Sequence, residues 1–392
     1  MTLSNLVNNL EESVTLAASA RAKELKAQGR DILMLTIGEP DFTTPENIAK
    51  AAKTAIDSGK ASFYTQANGL PELKDAVGSY FETYYGYGLS RSEVVITSGA
   101  KFALYAFFAS VLNPADEVII PTPYWVSYAD QVKMFGGVPV FATGRQEDDF
   151  KVTVAGLDAV VTDKTKVLLL NSPSNPTGMI YTKSELEALG NWAVSHDILI
   201  LADDIYGRLV YNGNAFTPIS SLSDAIRKQT VVINGVSKTY AMTGWRIGFA
   251  VGDPEIISAM SKIVSQTTSN PSAVAQYAAI EALVGDQSAI ESMREAFETR
   301  LNTIFPLVND IPGFETIKPQ GAFYLFPKVA KAMAMKGFTD VTAFADDILE
   351  KTGVALVTGA GFGAPENLRL SYATDMTTLK DAVARLKTYM ED

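Results

Sequence analysis

NGVSKTYAMTGWRIGFA, residues 234–250, connects one apolar run, Val231 to Ile233, to a second through a turn of small residues that presents Lys238. Eight positions later Arg246 stands at the mouth of the second run. Two cations are thereby placed where a sheet edge meets an interior, which raises the question of what they meet there.

Working outward, VVIN (231–234) and RIGFAVG (246–252) are two of seven apolar runs rich in β-branched residues. The others are EVVIT (93–97), DEVIIP (116–121), VPVFAT (138–143), KVLLL (166–170) and ILILA (198–202). Segments of helical composition, such as SELEALGNWAVSHD, separate most of them. Continuous rather than alternating apolar strands imply burial on both faces, so the pattern predicts an α/β core: a mostly parallel sheet covered by helices. After about residue 280 the chain changes to long helical stretches and alternating strands such as AFYLF and VALVT, and the first ~30 residues read as a helix followed by an extended segment. We therefore expect a large domain over 45–285 and a smaller α+β domain assembled from 1–44 and 286–392. No internal repeat or low-complexity tract marks the boundary.

Composition excludes several classes of function. A chain of 392 residues with 47% hydrophobic content can bury a substantial core. Its 33 Lys and Arg against 44 Asp and Glu give a net charge of -11, which offers nucleic acid or an anionic membrane little attraction. The N-terminus lacks a basic start followed by an apolar stretch, and no run approaches the ~18 apolar residues of a membrane span. The absence of Cys rules out disulfides and fits a cytoplasmic protein. With one histidine, His196, and no Cys, multi-His or Cys metal sites have no ligands, so no metal is expected. His196 itself reads as a helix-terminal surface imidazole, which leaves acid–base work to carboxylates, Tyr or Lys.

In open parallel sheets ligands bind beyond the carboxyl ends of the strands. Four such ends are polar. TSGAK precedes a helical run, so Ser98, Gly99 and Ala100 lie at a helix N-terminus with free N–H donors, either as a phosphate cradle or as an ordinary cap. NSPSNPTG supplies Asn171 and Asn175, the latter held extended by Pro176. ADDIYGRL supplies Asp203, Asp204 and Tyr206; a carboxylate at the end of an internal strand wants a positive partner, unless Asp203 simply caps a helix. The fourth end is the turn that carries Lys238.

Together these ends resemble the class I aminotransferases, pyridoxal 5'-phosphate enzymes of fold type I with a mostly parallel seven-stranded sheet. The resemblance runs from LTIGEPDF through PYWVSY, NSPSNPTG, ADDIY and SKTYAMTGWRIG to RLSYA, nearly the whole chain, and points to the bacterial aspartate aminotransferase branch. It implies that Lys238 joins the cofactor covalently and later moves protons, a task helped by partial desolvation beside Arg246. It implies that Asp203 sits against the pyridine nitrogen, and that Tyr206 and Asn175 bond the ring 3′ oxygen. Arg246, Ser237 and the Ser98–Gly99–Ala100 turn would hold the phosphate, and Trp125 would stack on the ring. Tyr64, in SFYTQANG, would reach the phosphate of a neighbouring subunit, making a homodimer with shared active sites. Trp125 and Tyr64 are equally compatible with core packing on chemistry alone.

For substrates, the resemblance assigns Arg369 in NLRLSYA to the α-carboxylate, with Gly38 allowing close backbone approach. The chain departs from the animal and enteric enzymes in the side-chain pocket. SQTTSNPSAVAQ lacks the arginine those enzymes use, and Lys101 matches a lysine that serves acidic substrates in the other bacterial branch. Ser13 and Thr15 are placed to assist. Tyr128 stands three beyond Trp125, where the enteric type often has His. The activity implied is transfer of the amino group of L-aspartate to 2-oxoglutarate. Alternatives are an aromatic amino acid or prephenate aminotransferase, a carbon–sulfur lyase of the same fold, and the ligand-sensing module of a transcription regulator. GAGFGA (359–364) fits a loosened dinucleotide pattern but leads into PENLRLSYA rather than a helix, so it reads as a loop.

Overall fold

Seven strands form on the seven apolar runs of a computed structural model that describes residues 3–8, 10 and 13–392; residues 1–2, 9 and 11–12 of the N-terminal segment lie outside the described residues. They are β1 Val94–Thr97, β2 Glu117–Thr122, β3 Val138–Thr143, β4 Thr165–Asn171, β5 Leu199–Asp203, β6 Thr230–Gly235 and β7 Gly248–Val251. Their order across the sheet is β1-β7-β6-β5-β4-β2-β3. Every pairing is parallel except the two made by β7, which runs antiparallel to β1 and β6. The expected mostly parallel seven-stranded sheet is therefore present.

Burial on both faces explains the unbroken apolar runs. Side chains alternate across a strand, and here the alternation divides them between two layers. Leu168, Leu170, Ile200, Ala202 and Val232 enter one cluster, with Leu73, Val77, Leu186 and Leu189 of the covering helices. Val167, Leu169, Leu201, Val231 and Ile233 enter the other, with Leu104, Phe107 and Phe108 of α1 Ala100–Val111 and Met260 of α2 Pro254–Thr267. The same alternation carried one step further puts Asp203 on the face of Leu201 and Asp204 on the face of Ala202.

Local signals set the helix ends. Thr182 and Glu185 exchange reciprocal bonds, side chain to backbone, at the start of the helix Lys183–Ser195. His196 ends that helix with Nδ1 2.8 Å from the Trp192 carbonyl oxygen, the helix-terminal surface position anticipated for it.

A third apolar cluster is built mainly from the C-terminal part of the chain, with Leu35 and with Ile205, Tyr206, Leu209 and Tyr211. Phe297, Leu301 and Ile304 of Ser288–Asn309 pack with Phe344 and Ile348 of Val341–Thr352 and with Leu379 and Leu386 of Met376–Glu391. Beside them lies an antiparallel sheet in which β10 Leu368–Ser371 pairs with β9 Val357–Thr358 on one side and β8 Tyr324–Leu325 on the other. The N-terminal segment joins this part, since Leu33–Met34 pairs in parallel with Val354–Ala355. GAGFGA forms a single 3-10 turn over Gly359–Phe362 rather than a helix start. Among the described residues no helix is long and apolar enough to cross a membrane.

Candidate active site

The carboxyl ends of β1, β2, β4, β5 and β6 converge on a cavity of about 420 Å³, closed on its far side by Gly38 and by Tyr324 and Arg369 from β8 and β10. The size suits a small-molecule site. Its charge is lopsided: Lys101, Lys238, Arg246 and Arg369 line it, against Asp203 as the one carboxylate among the described lining residues.

Lys238 is presented by the turn after β6 and donates from Nζ to the Gly38 carbonyl. Burial holds its ammonium down at about 8, with Arg369 and Arg246 acting in the same direction and Glu39 and Asp203 opposing. The amine is therefore available near neutral pH, as a nucleophile or base requires.

Asp203 ends β5, only 4% exposed. Tyr128 donates to its Oδ2 at 2.6 Å and the Ile205 amide to its Oδ1 at 3.3 Å. Burial pushes the carboxyl up to about 6, against those two bonds and the Lys238 charge. A turn follows, not a helix, so helix capping does not account for it. Asp204, also 4% exposed, points into the opposite layer, where Tyr85 donates to it at 2.9 Å. Each acid takes a hydrogen bond from a tyrosine hydroxyl, and at Asp203 the Lys238 charge acts as well.

At the other end of the cavity, α1 starts immediately after Gly99, and the amides of Ala100 and Lys101 find no acceptor among the described residues. Two glycines make this turn possible. Gly99 has φ +91°, and a Cβ there would lie 2.2 Å from Arg246 Nη2; a Cβ on Gly248 would lie 2.3 Å from the Ala100 nitrogen. The guanidinium of Arg246 thus lies against bare backbone, braced by the Thr243 carbonyl at 2.9 Å. Ala100, Arg246 and Ser237 line the cavity, whereas Ser98 and Gly99 are not among its lining residues.

Arg369 is 1% exposed. Nη1 donates to Asn175 Oδ1 at 3.1 Å and Nη2 to the Thr36 carbonyl at 3.0 Å, while Nε has no partner. Its guanidinium carbon lies 4.5 Å from the centre of the Tyr324 ring and 5.1 Å from that of Phe362. No described carboxylate pairs with it. Lys101 occupies the mouth, with Nζ 5.0 Å above the Trp125 ring; burial of the ammonium lowers its pKa, with Arg246 adding to the effect and Asp130 opposing it. Thr15 faces the cavity with a buried hydroxyl that has no partner, whereas Ser13 precedes the helix Val14–Ala27 and does not line it.

The structure thus gathers Gly38, Ala100, Lys101, Trp125, Asn175, Asp203, Tyr206, Ser237, Lys238, Arg246, Arg369 and Thr15 around one cavity. Tyr64 stands apart from its own chain's cavity, 91% exposed. One lining residue that the sequence reading did not single out is Tyr324, whose hydroxyl lies 2.9 Å from that of Tyr206. Its run, AFYLF, reads as a strand, and nothing local in it reveals which ring faces a cavity built by distant segments.

These groups fit pyridoxal phosphate. Free helix-terminal amides and Arg246 suit a phosphate, the buried Asp203 would be held ionised by, and so would suit, a protonated ring nitrogen, and Lys238, its ammonium held down at about 8, lines the same cavity.

Residues 30–386 match the family model of aminotransferase class I and II. The chain is 68% identical over 389 residues to the asparagine--oxo-acid transaminase of Streptococcus mutans, covering 99% of each chain. It is 49% identical over 391 residues to the aspartate aminotransferase of Bacillus subtilis, covering 100% of this chain and 99% of the relative. Among solved structures, aspartate aminotransferase from Thermus thermophilus with maleate superposes with a TM-score of 0.94 at 38% identity, over 99% of both chains.

Proposed function

The chain belongs to the class I and II aminotransferases, and on that premise we propose that it moves the amino group of L-aspartate to 2-oxoglutarate, forming oxaloacetate and L-glutamate. It is a pyridoxal phosphate-dependent enzyme. Bound, the cofactor supplies an aldehyde that takes up the donor's nitrogen and a ring that draws electrons from the donor's Cα. The chain's own residues do the rest. Arg246, Ser237 and the Ala100 amide would hold the phosphate end, Trp125 would cover the ring, and Asp203, steadied by Tyr128, would keep the ring nitrogen protonated. Tyr206 and Asn175 would bond the ring's 3′ oxygen. Lys238 Nζ takes the proton from the donor's Cα.

The observation that carries the aspartate reading is the buried Arg369 guanidinium with no carboxylate partner among the described residues, lining the same cavity as a second cation, Lys101. A buried cation without a counter-ion is costly, and a substrate with two carboxylates supplies one to each. Replacing Lys101 by Ala removes a charged hydrogen bond worth ~1.5–3 kcal/mol, so kcat/KM for aspartate is expected to fall roughly 10- to 150-fold, with little change for phenylalanine or alanine. Equal losses for all donors would refute the assignment.

L-asparagine is a second reading. It is favoured by the 68% identical asparagine--oxo-acid transaminase and by the unpartnered Thr15 hydroxyl, which can pair with a neutral carboxamide. Comparing aspartate with asparagine in the wild-type protein and in Thr15→Val separates the two: a selective loss with asparagine in the variant supports the amide donor.

We further propose a cytoplasmic homodimer in which Tyr64 reaches the partner's phosphate site. Its 91% exposure in one chain supports that placement. The division into 45–285 and 1–44 with 286–392 is likewise our proposal, supported by an apolar cluster drawn mainly from 286–392 with Leu35, which meets the other part through Ile205, Tyr206, Leu209 and Tyr211.

A further inference from the structure

Tyr324 touches three of the groups assigned above. Its Oη lies 2.9 Å from the Tyr206 Oη, with either able to donate, and no other hydrogen bond engages either hydroxyl among the described residues. Its ring lies 4.5 Å from the Arg369 guanidinium. A Cβ on Gly38 would come within 2.9 Å of the same Oη, so a bare glycine backbone is what admits it. Tyr324 is 1% exposed and enters from β8, whose neighbour β10 carries Arg369, whereas Tyr206 follows β5 of the large sheet.

We propose that Tyr324 is a positioning residue with two separable parts: its hydroxyl donates to Tyr206, freeing the Tyr206 proton for the cavity, and its ring fixes the plane of Arg369. Each phenol has one proton to give and can accept at its oxygen. If Tyr206 donated to Tyr324, its proton would be used up and it could only accept from a ligand. A cation against the ring face of Tyr324 polarises that phenol as the stronger donor. Burial raises both phenols and the Arg369 charge opposes the rise at both, directly behind burial at Tyr324 and behind two influences of Tyr324 at Tyr206. The guanidinium lies over the Tyr324 ring, 4.5 Å away, and it is this contact that assigns the donor direction from Tyr324 to Tyr206. The inference rests on the roles given to Tyr206 and Arg369 under the proposed function.

The cofactor-loaded enzyme provides the test. In Tyr324→Phe the ring stays and the hydroxyl goes. The pH midpoint of the bound cofactor's absorbance is expected to shift and kcat to fall about 3- to 12-fold, while the dissociation constant of succinate, an unreactive dicarboxylate, changes less than about twofold. Tyr324→Leu removes the ring as well, and succinate binding is expected to weaken about 2- to 30-fold. Combining Tyr324→Phe with Tyr206→Phe is expected to move the midpoint no further than Tyr206→Phe alone. An unmoved midpoint in Tyr324→Phe, or additive shifts in the double variant, overturns the hydroxyl's part. Unchanged succinate binding in Tyr324→Leu overturns the ring's part. The absorbance titration uses no amino donor, so it is independent of whether aspartate or asparagine is preferred.

Discussion

Asp204 is a buried acid that the chemistry does not use, and replacing it by Asn tests what its burial does to the fold. Burial pushes its carboxyl up to about 8, with the neighbouring Asp203 adding to the rise and the Tyr85 hydroxyl opposing it. The unfolded chain has an ordinary carboxyl near 3.8. Between these two values the folded protein holds a proton that the unfolded chain has lost, so stability falls as pH rises across the window, by up to about 1.4 kcal/mol per pH unit. Some four units cap the loss near ~6 kcal/mol, and relaxation of the site lowers that ceiling. Asp204→Asn keeps an oxygen that accepts from Tyr85 and cannot ionise. The variant is expected to match or fall slightly below the wild type at pH 4, then gain on it steadily up to about pH 8 and level off above. Asp203 titrates in both proteins, so the difference isolates Asp204. The assay is urea or thermal unfolding from pH 4 to 9 at fixed protein and cofactor concentration. A stability difference that does not vary with pH would refute the reasoning, because it would mean that Asp204 has the same pKa folded and unfolded.

Gly99→Ala places a Cβ 2.2 Å from Arg246 Nη2 at a backbone φ of +91°, so the guanidinium has to leave its seat. The expected result is cofactor affinity weakened about tenfold or more, measured by the apparent dissociation constant of pyridoxal phosphate, together with a stability loss of ~1–3 kcal/mol from the strained backbone. Tyr64→Ala is expected to weaken cofactor binding although Tyr64 lies outside its own chain's cavity, and mixing it with Lys238→Ala chains should restore one intact site per heterodimer. Absence of recovered activity in an assembled mixed dimer would count against shared sites.

Much of the fold was legible because parallel strands buried on both faces leave an unmistakable trace. The runs KVLLL, ILILA and VVIN have no polar face to present, and β4, β5 and β6 form on them. The strand ends were legible for a related reason: polar residues such as Asn171 and Asp203 directly after such runs, and Lys238 in the turn four residues beyond VVIN, have to sit at the sheet's rim. The paired acids of ADDIY were less legible. One step of strand alternation sends Asp203 to Tyr128 and Asp204 to Tyr85, and in both cases the partner is a hydroxyl far away in sequence, 75 and 119 positions respectively.

Order along the chain and the chemistry of each strand end were set locally, by periodicity, by turn residues and by which side chains carry charge. Only the tertiary structure brought Arg369 from β10 against Asn175 and Thr36, left its Nε without a partner, and laid Tyr324 across both Arg369 and Tyr206. The physical reason is that hydrophobic patterning tells a residue which face is buried but not which other segment covers it. Hydrogen bonds and cation–ring contacts act over a few ångströms, between groups that only folding brings together.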